Sequence, residues 1–340
     1  MRQSSSLRQK IGYRKWIAGG IGILFLLLFP QLFGAHLTTM FNYILMYSMV
    51  VTGLGLLIGW AGQFSLAQAA FYGVGAYTSA LLSLRYNVNP WLGLLCSAAL
   101  VGVIAYVLSK PLLSVPGFKV GFVTLGFAWF FHLIVSCLDI TGGHDGLTGI
   151  RHLSIGRFTL SKDLHYYYLL LAVVAVAFFL NRNLVKSKIG KEMRAIDTFT
   201  GGSVVAAKSF GINIGSLKTH IFVIAAIYAS IAGSINAHYL TVVNPMPFDV
   251  WNAILTLVIV IIGGVHSLWG GILGAAVYFG IKEFLTVILG GVPMPGWQYF
   301  TFGVIVTLIL LFFPEGIAGA FFQLHQWWNQ WVSSSQRKGI

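Results

Sequence analysis

Apolar runs of about twenty residues recur along almost the whole chain, and they limit the fold more than any motif does. Trp16 to Phe33 is the first. The others cover 37–59, 65–84, 90–109, 120–138, 166–182, 219–240, 251–265, 271–289 and 297–313. Each is close to the length a helix needs to cross a hydrocarbon core, with 251–265 short. Charged residues make up 9% of the sequence, against about 25% in soluble domains. A chain so poor in charge cannot cover itself with a water-facing surface. The expected fold is all-α, a polytopic transmembrane helical bundle of about ten spans.

The charges orient it. The net charge of +13 sits in short connections rather than in one patch, which argues for bilayer orientation and against nucleic acid. Residues 1–15 carry Arg2, Arg8, Lys10, Arg14 and Lys15. Alternating the spans puts Lys110, Lys119 and segment 183–218 on the side of this basic start. Segment 139–165 falls on the other side, where Asp139, Asp145 and Asp163 balance Arg151, Arg157 and Lys162. The reading is a cytoplasmic segment 1–15, a membrane domain 16–317 and an interfacial cytoplasmic tail 318–340 rich in Trp and Phe, with both termini inside. No small-x-small cleavage site follows the first run, so it reads as a retained helix.

Segment 183–218 is the longest polar stretch between apolar runs. It sets Lys186, Lys188, Lys191, Arg194, Lys208 and Lys218 against Glu192 and Asp197. Gly201-Gly202 divides it into two short helices, 188–197 and 203–210. On the residues alone, two readings stand level: a solvated loop that sets orientation, or an elbow that touches a cytoplasmic partner.

Two stretches mix glycine with polar residues beside a span, Gly59 to Gln68 and Gly263 to Gly270, and Gly-x-x-Ser-Leu recurs in both. Gln63, Ser65, Gln68 and Ser267 are too polar for lipid and are candidates to line a translocation path. Glu283 joins them as the one acidic residue inside a span, with a structural ion pair as the competing reading. Gly55-x-x-x-Gly59 and Gly270-x-x-x-Gly274 are packing patterns. Cys96 and Cys137 lie in apolar runs and read as buried small hydrophobes, not a disulfide. The histidines lack metal-ligand spacing, so no metal or cofactor is expected. Thr141 to Gly149 is a turn system on the outer side and lacks the Gly-Lys-Ser/Thr of a phosphate loop. Ion-coupled carriers need intramembrane carboxylates, and hydrolases a nucleophile with its base. The sequence displays neither pattern and no nucleotide-binding motif, so active transport would draw its energy from another subunit.

Gly59-Trp-Ala-Gly-Gln-Phe-Ser-Leu-Ala-Gln-Ala-Ala-Phe-Tyr-Gly-Val-Gly-Ala-Tyr-Thr78 resembles the signature of permease subunits of branched-chain amino acid ABC importers. Further matches come in order: Gly142-Gly-x-x-Gly-Leu-Thr-Gly-Ile150, Gly190-Lys-Glu-Met-Arg-Ala-Ile196, Gly263-Gly-Val-His-Ser-Leu-Trp-Gly270 and Pro314-Glu-Gly316. Within that family the chain looks like the LivM type rather than its LivH-type sister. The resemblance implies a transport subunit of the bacterial inner membrane, not an enzyme. The implied partners are a homologous LivH-type permease, two ABC ATPase subunits, an extracytoplasmic solute-binding protein and lipid. It implies that 183–218 is the coupling loop, with Gly190, Glu192, Met193, Arg194, Ala206, Ala207, Phe210 and Gly211 at the ATPase. Ala206 and Ala207 would allow close approach, and Met193 and Phe210 would be apolar anchors. The family's Glu-Ala-Ala-x-x-x-Gly falls on Val205 to Gly211, with Val205 in place of the glutamate. The implied cargo is branched-chain or related amino acids. Urea or a short amide is the alternative within the resemblance, and a self-sufficient carrier or channel the alternative outside it.

Overall fold

The computed structural model describes residues 2–113, 119–156, 158–196, 202–288, 295–313 and 316–320. The chain is a helical bundle. Helix α1 (Arg2–Gly55) is two arms joined at Gly34, whose φ of 78° and ψ of 179° lie in a region essentially reserved for glycine. The arms double back on each other. The Phe29 and Phe41 rings stand 4.1 Å apart, where an unbroken helix would separate them by about 18 Å. Pro30 lies just before the break. Having no N–H, it leaves the Leu26 carbonyl without its helical donor, and the Tyr167 hydroxyl donates to that carbonyl at 2.8 Å.

The second arm of α1 runs into a π-helical turn, Leu56–Trp60. Then come α2 (Gln68–Arg85), α3 (Pro90–Leu113), α4 (Lys119–Cys137), α5 (Asp163–Lys186), the short α6 (Lys188–Ile196) and α7 (Val204–Ser209), α8 (Ile214–Leu240), α9 (Val250–Gly263), α10 (Gly270–Ile288) and α11 (Pro295–Phe312). Each apolar run read from the sequence lies, among the described residues, mainly on a helix. Among the described residues, seven helical stretches are long and apolar enough to cross a membrane: Gly34–Trp60, Pro90–Leu112, Lys119–Cys137, Asp163–Lys186, Ile214–Leu240, Gly270–Val287 and Gly303–Ala320. Val250–Gly263 is apolar but shorter. Helix α2 is less apolar because other helices, not lipid, surround it.

The centre is α8 with α2 and α3. Helices α2 and α8 run in the same direction. Gly75 abuts the Ser230 backbone and Gly233 abuts the Tyr72 backbone, neither leaving room for a Cβ. Lipid offers no hydrophobic drive between helices, so such close backbone approach is what holds them. Helix α3 runs against α8 along a hydroxyl seam, Ser97 to Ser234 at 2.6 Å and Ser109 to Thr219 at 3.2 Å. The second arm of α1 packs antiparallel to α10, with Tyr43 stacked on Phe279 midway along and Gly271 against Thr52 near one end.

One end of the bundle carries segment 139–162. Among its described residues the strands are two residues long, β1 (Leu147–Thr148) paired with β4 (Val242–Val243), and β2 (Ser154–Ile155) paired with β3 (Phe158–Thr159). Gly142, Gly143, Gly146 and Gly149 all have positive φ, as a chain of tight turns demands. The segment is stitched to α8: His152 Nδ1 lies 3.1 Å from the His238 carbonyl, and His238 Nδ1 meets the Arg151 carbonyl at 2.6 Å. At the same end Asp163 accepts from Thr39 (2.7 Å) and Tyr239 (2.9 Å), tying α5 to α1 and α8.

Cys96 and Cys137 correct the expectation of burial: both are exposed on the outside of the bundle, and both are free thiols. In a membrane protein the outer surface is apolar too, so apolar neighbours in sequence do not imply a buried position. Pro314 and Glu315 of the last motif, Asp197 and residues 321–340 of the tail lie outside the described residues.

Candidate functional site

The two glycine-polar stretches meet at the end of the bundle opposite 139–162. The π-helical turn ends at Trp60. Residues 61–67 then thread between α4 and α9 before α2 begins: the Leu66 amide donates to Thr124 Oγ1 at 2.9 Å, and Leu66 packs with Ala69 and Ala253. Residues 264–269 make the corresponding turn between α9 and α10. Their local build is the same. Gly62 and Gly264 both take positive φ, 58° and 103°. Ser65 Oγ accepts the amide of Ala67 at 3.3 Å, and Ser267 Oγ accepts the amide of Trp269 at 3.2 Å. Each serine stands three residues before the helix it opens, at Gln68 and at Gly270. The Gly-x-x-Ser-Leu recurrence in sequence is thus one serine-capped turn used twice. The turns touch each other: Gly59 lies so close to the Val265 backbone that a Cβ would not fit. Between them is a cavity of about 10 Å³ lined by Thr52, Gly55, Trp60, Gly264, Ser267 and Gly271, near the least that holds one water.

The candidate path residues separate into two places. Gln63, Ser65 and Gln68 are all buried in the first turn. Both amide atoms of Gln63 and both of Gln68 lack a hydrogen-bond partner within the chain. Ser267 is half-buried in the second turn. Glu283 is elsewhere, with roughly 20 Å of helix between Gly270 and its position. It pairs with His36 at 2.8 Å, just beyond the Gly34 reversal, and Lys282 points away into an exposed position.

Segment 183–218 folds back on the same end as the two turns. Helices α6 and α7 stand where Gly201-Gly202 predicts two pieces. Gly190, Met193 and Ile196 form the buried face of α6, and Ala207 that of α7. Met193 is fully enclosed by its own chain, which corrects its reading as an outward anchor. The 190, 193, 196 spacing, three residues apart on one helical face, carried that signal. Phe210 and Val205 are the outward apolar residues, 86% and 76% exposed. Ala206 is exposed beside them. Gly211 has a φ of 77° with open space around it. Phe210 and Gly211 border a cleft of about 600 Å³ whose other walls include Lys188, Lys191, Glu192, Ser216 and His220. Glu192 meets Lys188 at 3.8 Å on the surface, a contact worth little in water. Arg194 places its guanidinium 5.1 Å from the centre of the Trp60 ring. Sequence reasoning named Arg194 but not Trp60 as its neighbour.

A serine and a histidine also meet far from these turns. Ser79 Oγ lies 2.8 Å from His238 Nε2, and the Arg151 carbonyl holds Nδ1. The distances are those of a nucleophile with its base. Both side chains are fully buried and Gly93 closes over Ser79, so the pair is a strut between α2, α8 and segment 139–162.

The family described as branched-chain amino acid transport system, permease component, matches residues 36–312. Two curated relatives align over 297 residues, 80% of this chain and 68% of theirs. They are the high-affinity branched-chain amino acid transport system permease proteins LivM of Escherichia coli K12, 25% identical, and of Salmonella typhimurium LT2, 24% identical. No solved structure matches. Apolar helices and permease relatives together make this a multi-pass inner-membrane protein. The match runs from His36 to Phe312, through both serine-capped turns and the elbow, and the chain belongs to the branched-chain amino acid transport permease family.

Proposed function

We propose that this chain is one membrane subunit of an ATP-driven importer for branched-chain or related amino acids. It works beside a homologous permease, receives cargo from an extracytoplasmic binding protein and is driven by two ATPase subunits on the cytoplasmic side. The observation that carries the reading is the exposed Phe210 on a basic elbow. A side chain of that size left bare to water, at the mouth of a large cleft and beside Val205, marks a docking surface. The buried faces of α6 and α7 fix that surface to the bundle, so a push on it reaches the spans α5 and α8 on either side. Segment 139–162, stitched to the opposite end of α8, is the face offered to the binding protein.

The test is reconstitution in liposomes with two ATPase subunits, a second permease and a binding protein from the same organism. Leucine, isoleucine or valine should enter only when ATP and all subunits are present. Uptake by this chain alone would overturn the reading. Phe210→Ala should weaken ATPase co-purification by roughly 30-fold in affinity, the loss of an anchor residue of about 2 kcal/mol. Its own folding should be unaffected, since the side chain contacts mainly solvent.

A further inference from the structure

Arg194 and Trp60 join the elbow's helix α6 to the turn bearing the unpartnered glutamines, and three observations give that contact meaning. The first is its place. Trp60 is the last residue of the π-helical turn, and Arg194 sits in the last turn of α6. A cation over an indole face is an attraction with a preferred geometry, so the two elements hold each other. The second is the nature of the turn. Wide i to i−5 bonding, Ala61 amide to Leu56 carbonyl at 3.3 Å, is continued by a still longer bond from the Gln63 amide to the Leu57 carbonyl at 3.0 Å. Such wide turns inside or at the end of α-helices change winding at small cost and recur at functional sites. The third is the state of the two glutamines next along the chain. Gln63 and Gln68 are buried, yet none of their four amide atoms has a partner within the chain. A carboxamide offers two donors and an acceptor, so these two side chains are the polar groups that a displacement of residues 61–68 would carry with it.

From these we infer that Arg194 is a positioning residue. Through Trp60 it transmits displacement of the elbow to the π-helical turn and so to Gln63 and Gln68, whose surroundings change during the transport cycle. Gly59, pressed against the Val265 backbone, passes the same displacement to the second serine-capped turn. This rests on the importer reading above and goes beyond it by naming the joint.

The experiment uses the complete importer in liposomes, purified through an ATPase subunit so that only assembled complexes are compared. Uptake is expressed per ATP hydrolysed. Arg194→Ala and Trp60→Ala should each lower that ratio about tenfold, within the usual span of coupling energies. The double variant should be no worse than either single one, because both remove the same contact. Arg194→Lys keeps a cation and Trp60→Phe keeps a ring face, and each should recover most of the ratio. Since Arg194 is exposed, its variants carry the test if Trp60→Ala does not assemble. Three outcomes overturn the inference: a ratio within about twofold of wild type in Arg194→Ala, losses that multiply in the double variant, or failure of Arg194→Ala to co-purify with the ATPases, which would make Arg194 a docking residue. Should wild-type complexes show no ATP-dependent uptake, the importer reading fails instead, a result these variants do not mimic.

Discussion

Ser65 and Ser267 show how much a single hydroxyl settles in this chain. Each accepts the second amide after its own just ahead of a helix, Ser65 inside the bundle and Ser267 at its surface. Ser65→Ala should cost about 1 kcal/mol, the net worth of a buried hydrogen bond, and Ser267→Ala less because its bond is exposed, both read as lower denaturation midpoints in detergent. Because the turns touch through Gly59 and Val265, the double variant should lose more or less than the sum of the two. Met193 teaches the opposite lesson. Its size and neighbours make it look like an anchor, but three-residue spacing from Gly190 to Ile196 turns it inward. That spacing was legible. The pairing of Arg194 with Trp60 was not, since no local rule joins residues so far apart in sequence.

At the scale of elements, helix existence was written in the apolar runs and helix partnership was not. Hydropathy tells a span from a loop but says little about which face turns to which neighbour. Hydrocarbon and protein interior look alike to it, as the outward Cys96 and Cys137 demonstrate. What chooses partners is small and polar: Gly75 and Gly233 in the α2–α8 crossing, and Ser97, Ser109, Ser234 and Thr219 in the α3–α8 seam. Gly233→Val tests this. The Tyr72 backbone stands where the new side chain must go, so the helices must separate. The overpacking should cost about 1–3 kcal/mol or more, seen as faster protease cleavage and a lower melting temperature. The reversal at Gly34 was half legible: a gap between runs predicted a boundary, while its positive φ and the Phe29–Phe41 contact belong to three dimensions.

For the whole molecule, charge scarcity and family membership agree. In the importer proposed above, the two ends of α8 would hold the two surfaces through which force and cargo arrive. The bundle also carries a debt between distant parts of the chain. Pro30 strips the Leu26 carbonyl of its donor, and the Tyr167 hydroxyl, from α5, replaces it. Tyr167→Phe should destabilise the protein by about 1 kcal/mol, the net worth of a part-buried hydrogen bond, measurable as loss of the first arm's protection from hydrogen exchange. There is a consequence for birth as well as for stability. If the first arm enters the bilayer during synthesis, its Leu26 carbonyl would wait for this donor until residue 167 has been added.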